Sequence, residues 1–412
     1  MSQIIEQLEL AKLASGQLRT ASTKQKNLFL EKLAELLSKN KAQILKANAQ
    51  DVEGATGLTE AMKKRLLLVE ASVDNMAQGV RTVIDLDDPV GQVVSSHIES
   101  NGLKINRVRI PIGVIFFVFE SRPNVIIDAA ALAIKSGNAL IVRGGKEACH
   151  SNEILEKLIQ EALASSGLSK NCVMQLTDKS HEAIYEVVRQ SEYIDLAVAR
   201  GREQLISAVK ERARVPVIAH ERGVCHIYID EFADVAKAIK IAVNAKVSNP
   251  AVCNSAEAIL VHEKIADKIL PDLINELIKN GVEVRGDTSA RARSQNCVPA
   301  QDSDWGKEFL DLIVAVKTVR DIDEALAHIE KYGSRHSDAI VTENKNNAEK
   351  FLNQVNNAAT LVNASTRLVD GGIFGLGAEF GISTASIHMR GPMGLADLTV
   401  TKYTVEGNGQ IR

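Results

Sequence analysis

Cys253 is the residue in this sequence that is best placed to act as a nucleophile. It lies in a run of small and polar residues, 248–257, directly before the apolar segment 258–262. A thiol that packs in a core normally has large apolar neighbours, whereas a nucleophilic thiol needs an open approach and nearby donors that stabilise its thiolate. Most single cysteines are small core residues, so a packing role stays open, but this setting favours covalent catalysis at Cys253.

Three loops with basic residues are predicted at one edge of a parallel sheet. Residues 120–124, 143–146 and 200–202 each follow a short apolar segment that we predict to be a strand. Ligands bind at the carboxyl ends of the strands in open α/β sheets, and Arg or Lys side chains there can contact phosphate oxygens. One such loop is as readily an ordinary turn between a strand and a helix. Three of them at equivalent positions favour an anionic ligand such as a nucleotide.

Other motifs with established chemistry are missing or weak. The glycine-rich segment 375–381 is one residue too long for a GxGxxG fingerprint and follows no clear strand–turn–helix start, so we interpret it as a flexible turn. Neither a P-loop nor an HExxH motif occurs. His220, Cys225 and His226 suggest metal binding, but Cys225 and His226 are adjacent in a predicted strand and would face opposite sides. We therefore expect no metal.

The composition is that of an ordinary globular protein. The 412 residues are 45% hydrophobic and 25% charged, with a net charge of -3 and no blocks of one sign, which argues against a nucleic-acid surface. The longest apolar stretch, 113–119, is too short to cross a membrane, and the amino terminus predicts an amphipathic helix rather than a signal peptide. The five scattered cysteines contain no CxxC pair, so we expect a reducing, cytoplasmic location.

The hydrophobic patterning predicts an α/β protein of two or three domains. The first hundred residues have the spacing of amphipathic helices, and Asn101-Gly102 between alternating segments predicts a β-hairpin. From residue 113 onward, continuous apolar strands alternate with amphipathic helices, which is typical of a parallel sheet covered on both faces. A second α/β segment extends from about residue 230 to 365, and a β-rich tail follows residue 384.

Several longer stretches together resemble the aldehyde dehydrogenase superfamily, and the resemblance extends over nearly the whole chain. These stretches are Phe-Glu-Ser-Arg-Pro-Asn-Val at 119–125, Gly-Val-Cys-His-Ile-Tyr-Ile-Asp at 223–230, Asn-Ala-Ser-Thr-Arg at 363–367, Gly-Leu-Gly-Ala-Glu-Phe-Gly-Ile-Ser-Thr at 375–384 and His-Met-Arg-Gly-Pro-Met-Gly-Leu at 388–395. Several separate motifs in the same order are far more specific than one glycine pattern. Members of this superfamily bind a nicotinamide cofactor on an α/β domain without the usual glycine fingerprint, which accounts for its absence here.

Within this superfamily the chain is most similar to the branch that reduces γ-glutamyl phosphate to glutamate 5-semialdehyde with NADPH, a step of proline biosynthesis that releases phosphate. The resemblance implies that Cys253 carries a thioester intermediate. It also implies further site residues: Asn249 and Asn254 near the nucleophile; Arg122, Asn124, Asn363, Ser365 and Arg367 for the substrate; and Ser121, Pro123, Arg143, Gly144, Lys146, Arg200, Gly201 and Glu308 for NADPH or NADP.

The resemblance also implies how the chain divides into domains. The expected parts are a Rossmann-like cofactor domain, an α/β catalytic domain, and an oligomerisation unit made of a β-hairpin and the tail. We expect the cofactor domain in 1–95 and 111–229, with 366–384 returning to it, the catalytic domain in 230–365, and the oligomerisation segment in 96–110 and 385–412. A homo-oligomer is therefore expected, whereas the association of a glutamate 5-kinase is left open.

Departures from the superfamily pattern leave alternatives open. Arg143 stands where many members have Lys, with Lys146 close by, so which residue holds the adenosine ribose stays open. No residue of 120–124 clearly matches the asparagine that holds the oxyanion in hydrolytic relatives. Glu221 falls near the place of their water-activating glutamate, and for it we favour a salt bridge or a substrate contact. The alternative functions are a hydrolytic, NAD-dependent aldehyde dehydrogenase and a non-catalytic nucleotide-binding or scaffold protein.

Overall fold

The chain forms two compact units in the computed structural model, which describes residues 3–58, 60–201, 203–219, 222–387 and 389–412. The first unit comprises Met1–Ala219, Phe374–Ile382 and Met393–Arg412, and the second comprises His220–Ile373 and Ser383–Pro392. Each unit contains a parallel sheet of its own. The predicted α/β fold class is therefore confirmed.

The helices and strands alternate through most of the chain. The helices are α1 (Gln3–Leu18), α2 (Thr23–Lys39), α3 (Lys41–Gly54), α4 (Glu60–Leu66), α5 (Glu70–Asp85), α6 (Val125–Lys135), α7 (Cys149–Ser165), α8 (His181–Val187), α9 (Glu203–Arg212), α10 (Val235–Val247), α11 (Glu263–Lys279), α12 (Thr288–Arg293), α13 (Ile322–Tyr332) and α14 (Lys345–Gln354). The strands are β1 (Val93–Ile98), β2 (Lys104–Pro111), β3 (Val114–Phe119), β4 (Ala139–Arg143), β5 (Val173–Gln175), β6 (Leu196–Arg200), β7 (Val217–Ala219), β8 (Cys225–Ile229), β9 (Ala256–His262), β10 (Glu283–Gly286), β11 (Val298–Pro299), β12 (Ile313–Val319), β13 (Ser337–Val341), β14 (Ala359–Val362), β15 (Ile382–Ser383), β16 (Gly391–Pro392) and β17 (Thr399–Glu406). No helix within the described ranges has the length and hydrophobicity that a membrane span requires.

A five-stranded parallel sheet with the order β5-β4-β3-β6-β7 forms the core of the first unit. Every residue of β3 and β4 is buried, as expected for central strands whose two faces are both covered. Helix α6 begins at Val125 and ends at Lys135, the limits that the sequence predicts. The predicted strand, helix and strand at the centre of this sheet are thus present.

Two strands of this sheet end later than the sequence predicts. The prediction ends the second strand at residue 142 and the strand before residue 200 at 198, which leaves Arg143 and Arg200 in loops. Both are the last residues of their strands, β4 and β6. A basic side chain after an apolar run suggests the end of a strand, but backbone pairing decides it, and Arg143 pairs with Val118 of β3 while Arg200 pairs with Phe119.

The hairpin and the tail of the chain together form a three-stranded antiparallel sheet with the order β1-β2-β17. Gly102 adopts a φ of 87° in the turn, a left-handed conformation that favours glycine. Strand β2 lies between β1 and β17, so residues nearly 300 positions apart pair directly, as Arg107 and Tyr403 do. All six residues of β1 are exposed.

A seven-stranded sheet with the order β11-β10-β12-β9-β8-β13-β14 forms the core of the second unit, and its paired strands are parallel. Side chains alternate between its two faces. Ile227 and Ile229 pack with helices α10 and α11, whereas Tyr228 packs with residues of α13 and α14. Helices therefore cover both faces of the sheet, and the apolar strands that the sequence shows are explained.

The boundary between the units differs from the expected domain boundary. The sequence places residues 220–229 in the cofactor domain, but β8 pairs with β9 and β13 of the second sheet. Residues 374–382 group with the first unit, whereas 366–373 group with the second. Sequence order alone cannot show which sheet a strand joins, because that depends on its hydrogen-bonded neighbours.

Candidate active site

Cys253 lies in an irregular turn of the second unit, between helix α10 and strand β9. Pro250 disfavours continuation of the helix, and the side-chain oxygen of Asn249 accepts a hydrogen bond from the Ala251 N–H at 3.3 Å, which is typical of an Asx turn. The Ser255 N–H donates to the Val252 carbonyl at 3.0 Å and closes the turn. Cys253 is half-buried and forms no disulfide. Local sequence therefore places its thiol on a turn that is partly open to solvent.

The segment that leads into β8 packs directly against the backbone of Cys253. A Cβ built at Gly223 would overlap the Cys253 carbonyl group, so only glycine fits there. The Cys225 thiol donates to the Cys253 carbonyl oxygen at 3.2 Å, and the Gly223 N–H donates to Oε1 of Glu308 at 2.8 Å. Residues that are about 30 positions apart in sequence thus fix the backbone on one side of Cys253.

The segment after β14 holds the same turn from another direction. The Arg367 guanidinium donates through Nε to the Ser248 hydroxyl at 3.1 Å and through Nη1 to the side-chain oxygen of Asn254. The amide nitrogen of Asn254 donates to the Val369 carbonyl at 2.9 Å, and the Thr366 hydroxyl donates to the Asn254 carbonyl at 2.7 Å. Two of the motifs that resemble the superfamily, 223–230 and 363–367, therefore converge on the turn that carries Cys253.

The five cysteines have different environments. Burial raises the pKa of Cys172 to about 12 and of Cys297 to about 11, and it raises the pKa of Cys225 well above its usual range. A thiol with a raised pKa contains little thiolate near neutral pH, and the thiolate is the nucleophile. Cys149 and Cys253 are the two cysteines that are only half-buried. The structure therefore separates them from the three that pack in the cores.

A buried ion pair lies close to the turn that carries Cys253. Lys246, near the end of α10, approaches Glu257, near the start of β9, with 2.6 Å between Nζ and Oε2, and both side chains are essentially inaccessible. Burial raises the pKa of Glu257 to about 7, against the opposing charge of Lys246, and burial lowers the pKa of Lys246. The pair connects the two elements that flank the turn.

Other expected residues of the second unit are held by the protein itself. The side-chain amide of Asn363 exchanges two hydrogen bonds with the backbone of Thr342, at 2.9 and 2.8 Å. Its φ of 53° shows that it ends strand β14 in a left-handed conformation. The Ser365 hydroxyl accepts from the Arg367 N–H at 3.3 Å. Asn363 and Ser365 therefore shape the segment that carries Arg367, while Asn249 is exposed.

In the first unit, the predicted loops meet at the carboxyl ends of β3, β4 and β6. The N–H and hydroxyl of Ser121 both donate to Oε1 of Glu147, at 2.8 and 2.6 Å. A Cβ built at Gly201 would lie 2.8 Å from Oε2 of Glu120, so this loop also passes close to the first. Pro123 is buried in the turn before α6. The expectation that the three loops share one edge of the sheet is thus met by their geometry, with acidic residues among the basic ones.

Arg143 is not the accessible basic residue that the sequence suggests. Only 7% of its surface is exposed, and its guanidinium donates to the carbonyls of Gly144 at 3.1 Å and Lys179 at 2.5 Å. Burial lowers its pKa. Arg143 therefore orders the loops around it, while the nearby Lys146 is exposed.

A small depression lies beside these loops, lined by Arg143, Asn152 and Lys179 among others. Two buried polar atoms on its wall, Nε of Arg143 and Oδ1 of Asn152, have no hydrogen-bond partner within the described part of the chain. One is a donor and the other an acceptor. Buried polar groups are normally satisfied, so a bound water or a polar ligand is expected beside these two atoms.

Asp128 was not expected from the sequence. It lies in the first turn of α6, where Asn124 donates to it at 3.4 Å. Burial raises the pKa of its carboxyl to about 6, although the charge of Arg200 opposes this shift, and Glu379 adds to it. Lys179 is a second residue that the sequence did not suggest. A polar residue one helical turn after a loop motif was the only available signal for Asp128, and for Lys179 there was none.

The predicted substrate residues divide between the units. Arg122 and Asn124 belong to the first, whereas Asn363, Ser365 and Arg367 belong to the second. The predicted cofactor residues are in the first unit except for Glu308. Glu221, whose role the sequence leaves open, lies outside the described residues, as do Arg202, His220 and His388.

The chain is similar to several known proteins. The profile of the aldehyde dehydrogenase family matches residues 1–290. The gamma-glutamyl phosphate reductase of Clostridium beijerinckii is 48% identical over 414 residues, with full coverage of both chains. The enzyme of the same name from Clostridium perfringens is 50% identical over 404 residues, covering 98% of this chain and 97% of the relative.

Solved structures show the same relationship. The crystal structure of gamma-glutamyl phosphate reductase from Thermotoga maritima covers 100% of both chains with a TM-score of 0.97 and 44% identity. An acetylating aldehyde dehydrogenase from Geobacillus thermoglucosidasius has a TM-score of 0.71 at 17% identity, covering 100% of this chain and 97% of that one. The second likeness is one of fold alone.

Proposed function

The chain belongs to the aldehyde dehydrogenase family, and we propose that it reduces γ-glutamyl phosphate to glutamate 5-semialdehyde with NADPH and releases phosphate, as a step of proline biosynthesis. The observation that carries this proposal is the half-buried Cys253 thiol on a turn where two family-like segments meet. Two relatives that are 48% and 50% identical to this chain, with nearly full coverage of both chains, are named for this reaction. The residues below are assigned on that basis.

In the first step the Cys253 thiolate attacks the acyl carbon of the substrate. A carbon–sulfur bond forms, the bond to the phosphate oxygen breaks, and phosphate leaves with the electron pair. Because phosphate is a stable anion, this departure needs no strong general acid. The glutamyl group remains on Cys253 as a thioester, so one difficult reduction is divided into two easier steps.

In the second step the thioester is reduced to the aldehyde. The nicotinamide, when bound, supplies the hydride. The carbonyl oxygen of the thioester then carries negative charge, for which we assign the backbone N–H of Cys253 and the side chain of Asn249 or Asn254 as donors. Asn254 already donates to the Val369 carbonyl and accepts from Arg367, which favours the exposed Asn249. Cleavage of the carbon–sulfur bond releases the aldehyde and restores the thiolate.

The residues at the carboxyl ends of β3, β4 and β6 fit a nucleotide cofactor. Gly144 and Gly145 line a depression whose other lining residues include an unsatisfied donor and an unsatisfied acceptor. Lys146 and Arg200 supply positive charge for phosphate groups, including the 2′-phosphate that distinguishes NADPH, while Ser121, Pro123, Arg143 and Gly201 shape the loops. We assign Glu308 to the nicotinamide ribose, as the resemblance implies.

The substrate carries a carboxylate and a phosphate, and we assign Arg122 and Arg367 to these anionic groups. Arg367 already lies beside the nucleophile turn, with its guanidinium fixed by Ser248 and Asn254. A planar guanidinium pairs with carboxylate or phosphate oxygens through two parallel hydrogen bonds. Asn124, Asn363 and Ser365 complete the proposed substrate set, the last two by holding the Arg367 segment.

We propose a homo-oligomer assembled through the three-stranded sheet, with association of a glutamate 5-kinase left open. Apolar side chains are exposed on both outer strands of this sheet. On β1 they are Val93, Val94 and Ile98, and on β17 they are Val400, Tyr403 and Val405. Exposed apolar patches on outer strands are typical of surfaces that pair with another chain.

The nucleophile is tested with Cys253→Ala. We expect this variant to lose reduction of γ-glutamyl phosphate and to bind NADPH with nearly unchanged affinity, measured by fluorescence titration. Cys297→Ala, which alters a core cysteine, is the matched control and should keep most of the activity. Turnover that survives in Cys253→Ala refutes covalent catalysis.

The alternative of a hydrolytic dehydrogenase is tested in the reverse direction. Glutamate 5-semialdehyde and NADP are supplied with and without inorganic phosphate. We expect oxidation to depend on phosphate, because phosphate must cleave the thioester to form the acyl phosphate. Oxidation that proceeds equally well without phosphate assigns the chain to the hydrolytic class instead.

A further inference from the structure

Cys149 forms a compact polar cluster with Lys179 and Glu153 in the first unit. Its Sγ lies 2.9 Å from Nζ of Lys179 and 3.1 Å from Oε1 of Glu153, and the same carboxylate oxygen lies 3.0 Å from the ammonium. Cys149 is half-buried, and Lys179 and Glu153 are more exposed. The thiol donates a hydrogen bond to the carboxylate, and the ammonium on its other side can stabilise the thiolate.

The charges of this cluster affect one another. The hydrogen bond with Cys149 is the main reason that the pKa of Lys179 is raised. The pKa of Glu153 is lowered, first by Lys179 and then by Cys149. Lys179 therefore stays protonated beside the sulfur and Glu153 stays ionised, so the arrangement does not depend on a particular pH near neutrality.

The cluster opens into the depression at the ends of β4 and β5. Cys149 and Lys179 line it together with the buried Arg143 and Asn152. Arg143 is 7% exposed and Asn152 is 2% exposed, and Nε of the first and Oδ1 of the second are among the buried polar atoms without a partner in the described part of the chain. The thiol thus faces a site with independent signs of a missing polar ligand.

We propose that Cys149 is a second reactive thiol and a modification site, where a low-molecular-weight disulfide forms a mixed disulfide that excludes the cofactor. The assignment of the cofactor to this depression rests on the proposed function, whereas the reactivity of the thiol does not. A peptide-sized group on Cys149 would occupy the mouth of the depression. Conversely, a nucleotide bound there would shield the sulfur.

The chemistry is ordinary thiol–disulfide exchange. The thiol proton passes to water, and Lys179 stabilises the thiolate. The Cys149 sulfur attacks one sulfur of the disulfide, so that a new sulfur–sulfur bond forms and the old one breaks. The second sulfur leaves with the electron pair as a thiolate and takes up a proton. One thiol and one disulfide are consumed and one of each is formed, so no further oxidant is required.

The experiment measures modification of each cysteine separately. The whole protein is treated with iodoacetamide, and in parallel with oxidised glutathione, and peptides are quantified by mass spectrometry over time. We expect Cys149 to react at least roughly tenfold faster than Cys172, Cys225 and Cys297, because a thiolate is the reacting species. Saturating NADP should slow the reaction at Cys149.

Substitutions of Lys179 separate activation from simple exposure. Lys179→Met should slow labelling of Cys149 by about tenfold, whereas Lys179→Arg, which keeps the charge, should stay within about threefold of the wild type. Lys170→Met, on an exposed part of the same unit, is the matched control. An unchanged melting temperature and an unchanged labelling rate at Cys253 show that the variants are folded.

The outcomes distinguish the two proposals. If Cys149 reacts as slowly as the three core cysteines, or if Lys179→Met leaves its rate unchanged, the modification site is refuted. If Cys149 reacts rapidly through Lys179 but NADP gives no protection, its reactivity stands and the placement of the cofactor in this depression is refuted. Rapid, Lys179-dependent and NADP-protected labelling supports both.

Discussion

Gly223 lies so close to Cys253 that any side chain on it would overlap the Cys253 carbonyl group. The same carbonyl oxygen accepts a hydrogen bond from the Cys225 thiol, two residues further along the chain. The position of Cys253 is therefore set by the start of β8 as much as by its own turn. This contact explains how the glycine-containing segment before β8 contributes to the site: it fixes the backbone of Cys253.

Gly223→Ala should disturb the nucleophile without touching the substrate. The added methyl group must displace the backbone at Cys253, so we expect a loss of about 1–3 kcal/mol in stability and at least a tenfold fall in kcat. Steady-state kinetics and urea denaturation measure the two effects. Gly16→Ala is the control, because nothing lies within 4 Å of a Cβ there. Gly16 lies in α1, so that change should be neutral or stabilising. If the two variants have the same stability and the same kcat, the packing argument is wrong.

Arg367→Lys should weaken the site although it keeps the charge. The guanidinium joins Ser248 and Asn254 on either side of Cys253, and a lysine ammonium cannot reproduce this fork. We expect kcat/KM for the acyl phosphate to fall by roughly 10- to 100-fold, with most of the change in KM if Arg367 binds an anionic group. The exposed Arg320, which pairs with Glu324 in the same unit, provides the control Arg320→Lys. An unaltered kcat/KM in Arg367→Lys rules out a role beside the nucleophile.

Removing one partner of the Lys246–Glu257 ion pair should destabilise the second unit more than removing both. Lys246→Met alone leaves a buried carboxyl without its partner, and we expect a loss of about 3–5 kcal/mol, with much of it recovered in Lys246→Met/Glu257→Leu. The single tryptophan, Trp305, belongs to this unit and can report its unfolding by fluorescence in urea.

An exposed ion pair is the control for this double-mutant cycle. The pair Lys279–Glu276 has a distance of 3.4 Å and mostly exposed side chains, so its coupling should be less than about 1 kcal/mol. If the coupling energy between Lys246 and Glu257 were equally small, that ion pair would not be desolvated as the structure indicates.

Asp128 should make stability depend on pH in a defined direction. Its folded-state pKa of about 6 exceeds the ordinary value of 3.8, so the folded protein binds the proton more tightly than the unfolded chain. The ionised carboxyl therefore costs stability above about pH 6, and this cost disappears as the pH falls toward 3.8.

Asp128→Asn removes that cost. We expect the variant to be more stable than the wild type at pH 8, by on the order of 1–3 kcal/mol, and the difference to vanish near pH 4. Thermal unfolding followed by circular dichroism between pH 4 and 8 measures it, with the exposed Asp272→Asn as control. A stability difference that grows toward acid pH contradicts the raised pKa.

Local sequence predicted the elements well where one short-range signal dominated. The Asn101-Gly102 turn and helix α6 were both predicted, the first from backbone conformation and the second from a continuous apolar run between two turns. The ends of β4 and β6 were missed by one or two residues. Arg143 and Arg200 suggested loops, since a charged residue seldom continues a buried strand, but pairing with β3 kept both in the sheet.

The candidate site was predicted unevenly for a similar reason. Cys253 was suggested by its own small and polar neighbours, and the motifs that surround it were suggested by their resemblance to a superfamily. Their convergence through Arg367 and Gly223 depends on contacts between residues that are 30 to more than 100 positions apart. The same holds for Cys149 and Lys179, which are 30 positions apart and have no local signal at all.

The amino-acid sequence by itself determined the order of strands and helices, the family, and the identity of the nucleophile as a hypothesis, because these depend on neighbouring residues or on whole motifs. Only the tertiary structure decided which of five thiols are accessible, which arginine is buried, and which sheet β8 joins. Burial and electrostatic partners are properties of the packed chain, since they depend on side chains brought together by strand pairing and not by their positions along the sequence.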